Sequence, residues 1–295
     1  MTQATVTYFH NSGFMVRTGS ILLVFDYWRG EDGALPVESR LTERDFADCT
    51  QIVFFVSHAH QDHFDSVIYD FNYTKYKINY IVDKEVPQKI LNFNICQRIH
   101  EGETVPVGPV TVTAFGSTDA GVSFYVKANG LTIFHAGDLN LWHWREERSL
   151  SEVRQAQKAF YDCVKPLESL PVDIAMFPLD PRQGGCYDVG ANHFIMAVKP
   201  RVFFPMHWQD KPEVALDYCR RGRTYYTDTY ALTRPREAAE ITFTDTRVKV
   251  DIIAPQEKIT AIPNRGKVEL DNLSFKHPFA ESDLPVDFSF GKKDE

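Results

Sequence analysis

Residues 51–56 read QIVFFV, with no charge from Ile52 onward, and they run directly into Ser57-His58-Ala59-His60-Gln61-Asp62-His63. A short run of β-branched and aromatic side chains predicts a strand buried on both faces in a layered α/β domain. Such a strand is a stiff platform for the residues at its exit. Four of the six residues from His58 to His63 have side chains that bind borderline metals such as zinc, in a chain with ten histidines. Crowding imidazoles and a carboxylate serves no packing purpose. Where the chain leaves the strand still extended, alternate residues share a side, so His58 and His60 can converge on one ion. Asp62 and His63, just beyond, can reach a second.

The six residues HAHQDH resemble the HxHxDH signature of the metallo-β-lactamase superfamily, and the flanking Ser57 and Phe64-Asp65 are similar to its UlaG-like branch of cytoplasmic metal-dependent hydrolases. The resemblance covers residues 6–244. It implies an α/β (α+β) fold, a four-layer αββα sandwich with two facing sheets and helices outside. A histidine pair after a strand also opens the metal site of some TIM barrels. That pattern does not call for the Asp-His pair, and the regular alternation of eight strand-helix units is not found here.

Along the chain, residues 5–9, 14–17 and 21–25 predict an opening antiparallel meander, with turn residues at 11–13 and 18–20. The third strand ends at Asp26, and the resemblance places an aspartate here beneath the metal site. His10 is then either a donor near the site or a solvent-facing turn histidine. Residues 27–49 read as a loop with a short helix, 79–82 as a strand, 84–91 as a helix, and 110–115 as a half-buried strand. Residues 121–126 and 131–135 flank Asn129-Gly130, a hairpin turn signal, and lead to Ala136-Gly137-Asp138. Ser149 and Glu152 form a capping box for a helix carrying Val153, Ala156, Phe160 and Val164, which Pro166 stops. A strand at 172–177, a helix at 191–198 and a strand at 201–204 come next, the last running into Pro205-Met206-His207-Trp208. The expected boundaries are a hydrolase domain over 1–247 and a C-terminal extension over 248–295. That extension is expected to pack on the core or on a neighbouring subunit, which would make a homo-oligomer.

Asp138 and His207 are the other metal-type residues that close strands. The resemblance implies that the aspartate of the Gly-Asp step bridges two metals and that the late histidine completes the second ion, giving metal ligands His58, His60, Asp62, His63, Asp138 and His207. A bridging carboxylate suits a two-metal site because it neutralises charge between cations about 3.5 to 4 Å apart. The chain departs from the family pattern in residues 114–121, where a third histidine for the first metal is expected and AFGSTDAG stands instead. Either Asp119 substitutes, or Ser117 or Thr118 acts through water, or two imidazoles and the bridging groups suffice. An oxygen ligand would move preference from zinc toward manganese or iron. His193 is expected on a helix surface, and Trp142-His143-Trp144 as a pocket wall or a buried brace.

One or two divalent ions, zinc or manganese with iron admissible, would bring a water to deprotonation near neutral pH and polarise a carbonyl or phosphoryl oxygen. Asp62 would orient that water or pass on its proton. The expected reaction is hydrolysis of a small ester, lactone or phosphodiester, with a non-catalytic metal-binding or metabolite-sensing protein as the rival on the same fold. A net charge of -8, from 32 basic and 40 acidic residues, argues against a nucleic-acid partner. No apolar run approaches a membrane span, and the start has no basic region before an apolar one. Five scattered cysteines without a CxxC pair fit reduced thiols. A cytoplasmic protein acting on a small molecule is the expectation.

Overall fold

The computed structural model describes residues 1–31, 34–90, 92–145, 147–221 and 226–255. Its first six strands are β1 (Thr2–Tyr8), β2 (Phe14–Thr18), β3 (Ile21–Phe25), β4 (Gln51–Val56), β5 (Ile78–Asp83) and β6 (Cys96–Ile99). Then come β7 (Thr104–Val107), β8 (Val110–Gly116), β9 (Val122–Ala128), β10 (Leu131–His135) and helix α1 (Leu150–Val164). The chain continues through β11 (Ile174–Pro178), α2 (Val189–Val198), β12 (Val202–Met206), α3 (Pro212–Arg221), β13 (Asp228–Thr229), β14 (Ala238–Phe243) and β15 (Val248–Ile253). One sheet has the order β15-β14-β1-β2-β3-β4-β5-β6, the other β13-β12-β11-β10-β9-β8-β7.

Both sheets are mixed in the same way. Hairpin-connected antiparallel strands occupy one side, and parallel strands, β3 to β6 in the first sheet and β10 to β13 in the second, the other. The β9-β10 hairpin turns at Asn129 and Gly130, both with positive φ (49° and 76°), the twist that a two-residue hairpin needs. Strand β4 is buried at every position. Its Val53 and Phe55 face the second sheet, Phe55 meeting Phe124 at 5.2 Å between ring centroids, while Ile52, Phe54 and Val56 join a separate apolar layer behind.

The two facing sheets form the expected sandwich, with its helices unevenly shared between the outer faces. Helices α1, α2 and α3 all accompany the second sheet, with Phe160, Phe194 and Ala215 in its core. Among the described residues, the first sheet is backed by loops and short 3-10 turns at Glu43–Phe46 and Ser66–Asp70, whose Phe46, Ile68 and Tyr69 pack near Phe54 and Tyr80. The helix expected at 84–91 is absent from residues 84–90. Asp83 accepts from the Glu85 amide in a local turn, and Pro87 would cost an interior helix hydrogen bond. The expected boundary at 247/248 falls inside the β14-β15 hairpin, so residues 248–253 form the edge of the first sheet. The rest of that C-terminal extension lies outside the described residues beyond 255.

Candidate metal centre

The carboxyl ends of the parallel strands from both sheets meet at one edge, where open α/β sheets characteristically bind ligands. Strand β3 delivers Asp26, β4 the stretch from Ser57 to His63, β10 Asp138, β11 Asp180 and β12 His207. Close approach is needed for this, and glycine provides it. A Cβ on Gly121 would lie 1.9 Å from the Ser57 carbonyl oxygen, and one on Gly137 would lie 2.8 Å from the Ser57 Cβ. Both glycines hold positive φ, as do Asp26 (42°) and His207 (58°). Strained backbone of this kind persists where the surrounding structure determines it, commonly around functional groups.

Six of the expected residues converge as two triads, His58, His60 and Asp138 in one and Asp62, His63 and His207 in the other, each with its ligand atoms within 4.8 Å of one another. Asp138 lies between them. Its Oδ2 is 3.3 Å from His58 Nε2, and its Oδ1 is 3.1 Å from His63 Nε2 and 3.5 Å from His207 Nε2. Asp62 Oδ2 stands 3.3 Å from His207 Nε2 and 3.6 Å from His63 Nε2. Asp119 is not brought to either triad; it is exposed on the rim of the cleft above. Thr118 is occupied elsewhere, its hydroxyl donating to the Asn140 carbonyl and accepting from the Asn140 amide.

The imidazoles are fixed from behind. Asp26 is wholly buried and accepts from the Ser57 amide (2.7 Å), the Ser57 hydroxyl (2.6 Å) and His63 Nδ1 (2.8 Å). Because the Ser57 hydroxyl donates to Asp26, its oxygen is left to accept from His58 Nδ1 at 3.0 Å. His207 Nδ1 donates to Asp180 at 3.1 Å, and Arg182 grips Asp180 through Nε (2.9 and 3.0 Å) and Nη2 (2.5 Å). With each Nδ1 committed to its partner behind the ring, Nε2 of His58, His63 and His207 points into the shared space, where a cation would take the place of any proton that Nε2 carries. Those three atoms and Asp138 Oδ1 are buried with no hydrogen-bond partner among the described residues. Buried polar groups are costly to leave unpaired, so this donor set fits a metal ion.

Electrostatics agree with the geometry. Burial disfavours ionising Asp138, but the facing charges of His63 and His207 outweigh it and hold the carboxyl well below the usual range. Burial likewise opposes a charge on His207, yet Asp138, Asp180 and Asp62 push it up to about 9. Asp180 is buried too, and His207 and Arg182 bring it down to about 2. The buried carboxylates thus favour positive charge at the centre, whether imidazole protons or a metal ion carry it.

Asp180 and Asn11 were not singled out from the sequence. Asn11 Nδ2 donates to Asp62 Oδ2 at 3.1 Å from the β1-β2 turn. His10, its neighbour, faces the Trp28 ring at 5.0 Å and joins neither triad. The signal for Asp180 was an aspartate two residues past a buried apolar strand, close to the placement of Asp26 directly after β3. His135 is a core residue, stacked on Phe25 and donating from Nε2 to the Ser12 carbonyl, and burial lowers its pKa. His193 packs between α1 and α2 against Tyr161, with ring centroids 4.4 Å apart.

Above the triads lies a cleft of about 780 Å³. Trp142 and Trp144 stack at 5.8 Å in its wall, so this stretch is a wall of the cleft, and His143 between them in sequence is buried. Trp142 Nε1 donates to the Asp138 carbonyl at 2.7 Å, fixing the Gly-Asp step. Arg182 lies 5.8 Å from the Trp144 ring, and Arg148 also lines the cleft.

No family model matches the chain. It is 26% identical over 225 residues to a UPF0173 metal-dependent hydrolase of Pyrococcus furiosus, covering 72% of this chain and 88% of that protein. Its fold is similar to that of Igni18, a metallo hydrolase from Ignicoccus hospitalis, with a TM-score of 0.54 and 16% identity over 82% of this chain and 100% of that one. The metallo-β-lactamase fold protein YhfI of Bacillus subtilis gives a TM-score of 0.51 and 12% identity, covering 81% of this chain and all of YhfI. The two facing mixed sheets with their helices are thus the metallo-β-lactamase fold.

Proposed function

We propose that this chain, a member of the metallo-β-lactamase superfamily, is a metal-dependent hydrolase of small esters, lactones or phosphodiesters that carry negative charge. The observation that carries this reading is the set of buried, unpaired Nε2 atoms of His58, His63 and His207 around Asp138 Oδ1. His58, His60, Asp62, His63, Asp138 and His207 would hold one or two divalent ions, zinc or manganese with iron admissible. When bound, such ions supply a nucleophilic water near neutral pH and a Lewis acid for a carbonyl or phosphoryl oxygen.

The protein's own groups do the rest. Asp62, half-buried at the cleft floor and steadied by Asn11, orients the attacking water and takes its proton. Asp26 and Asp180 keep the imidazoles in one tautomer, so no reorganisation is needed as charge develops. Trp144 offers a flat apolar face to the substrate body. Arg148, whose guanidinium makes no hydrogen bond or ion pair among the described residues, offers donors to a carboxylate or phosphate.

A small-molecule substrate is supported over a nucleic acid by the net charge of -8. Among the described residues no helix is long and apolar enough to cross a membrane, and all five cysteines are free. Free cysteines support a reducing, cytoplasmic setting. The test is turnover against paired anionic and neutral lactones and phosphodiesters, on protein purified without chelator and with its metal measured. Arg148→Ala should raise KM about tenfold for anionic members and leave neutral ones unchanged, the loss of one charge-assisted hydrogen bond. Metal binding without turnover on any member would favour a sensing protein instead.

A further inference from the structure

The two halves of the centre are built unequally. We infer that the position bounded by Asp62, His63, His207 and Asp138 holds its ion tightly, while the position bounded by His58, His60 and Asp138 exchanges its ion. This rests on the metal-dependent reading above and adds an order of affinities that the ligand types alone do not give.

Every ligand of the position bounded by Asp62, His63 and His207 is anchored. Asp62 is held by Asn11, His63 by the buried carboxylate of Asp26 and His207 by the buried carboxylate of Asp180, which Arg182 fixes in turn. A carboxylate behind an imidazole both orients the ring and makes it a better donor. Asp138 Oδ1 closes this position at 3.1 and 3.5 Å from the two imidazole nitrogens.

The other position lacks that support. His58 is backed by a neutral hydroxyl, and His60 is exposed, touching the His58 ring with centroids 4.5 Å apart and making no ring hydrogen bond among the described residues. Ordering an exposed side chain on binding costs conformational entropy that an anchored one does not lose. Residues 116–121 add no third imidazole, and Thr118 is committed to Asn140. Asp119 stays outside the triad. The unfilled side of this position opens on the cleft, where a substrate or buffer oxygen completes it.

The experiment is equilibrium dialysis of the full chain against zinc and, separately, manganese, with bound metal counted by mass spectrometry. Wild type should retain one equivalent after exhaustive dialysis into metal-free buffer, and take up a second only from added metal. His60→Ala alters an exposed side chain and should keep the retained equivalent while losing the second. Asp180→Asn should weaken the retained ion by about 10- to 100-fold, the usual effect of removing a partner behind a ligand. Circular dichroism checks that each variant is folded. Should the Asp180→Asn chain prove unfolded, Asn11→Ala, which frees Asp62 from a turn, should weaken the same ion. Two equivalents retained together, or loss of the retained ion in His60→Ala, would overturn the inference and leave the hydrolase reading intact. Failure to bind any metal would overturn both.

Discussion

Asp26 does more for the centre than its distance from the cleft suggests. One buried carboxylate receives two donors from Ser57 and one from His63, so it fixes the strand exit and an imidazole together. Breaking a buried charge pair by removing one partner typically costs about 3 to 5 kcal/mol, and Asp26→Ala should destabilise the metal-free chain by about that much in urea denaturation. Asp180 gives a pH-dependent counterpart. Its folded pKa of about 2 lies below the ordinary value of 3.8, so its contribution is complete above the unfolded value and is lost as pH falls toward about 2. With chelator present, Asp180→Asn should therefore be less stable than wild type at neutral pH by on the order of 2 kcal/mol. That gap should narrow as pH falls below 3.8 and close only below about 2, and a gap that persists there would show that Asp180 acts by packing rather than by charge.

At the scale of elements, two glycines let the strand ends of both sheets touch. Gly121 has φ 63° and no room for a methyl group against the Ser57 carbonyl, whereas Gly102 has φ 86° and open space around its missing Cβ. Gly102→Ala should cost about 1 to 2 kcal/mol, the penalty of the left-handed backbone alone. Gly121→Ala should cost well beyond that, and equal losses in thermal denaturation would show that the close approach is not what the residue is for. The strands were legible in the sequence because residues such as Ile52 to Val56 carry no alternative, and HAHQDH announced the centre in six consecutive positions. Asp180 and Asn11 were not legible because their partners, His207 and Asp62, lie 27 and 51 residues away, and only the parallel β11-β12 pairing and the β1-β2 turn bring them close. The helix expected at 84–91 fails on Pro87, whose missing amide outweighs the apolar spacing around it.

Across the whole molecule, the two sheets act as one clamp, with the donors contributed from both sides of the interface between them. Phe55 sits in that interface between Phe25 and Phe124, and Phe55→Ala should cost about 3 to 5 kcal/mol through the cavity it leaves. Metal binding should tighten the same clamp, since a ligand at 100 times its Kd adds about 2.7 kcal/mol to folding. At roughly 2 to 4 °C per kcal/mol, stripping the metal should lower Tm by at least about 5 °C. An unchanged Tm would separate the centre from the fold.

The most direct measurement is the metal content of Asp138→Ala beside wild type, because Asp138, alone among the described residues, faces both triads. The variant should remain folded by circular dichroism, retain no metal after dialysis and show no turnover on any substrate that wild type hydrolyses. An Asp138→Ala chain that keeps the wild-type metal content and turnover would contradict the account at its centre.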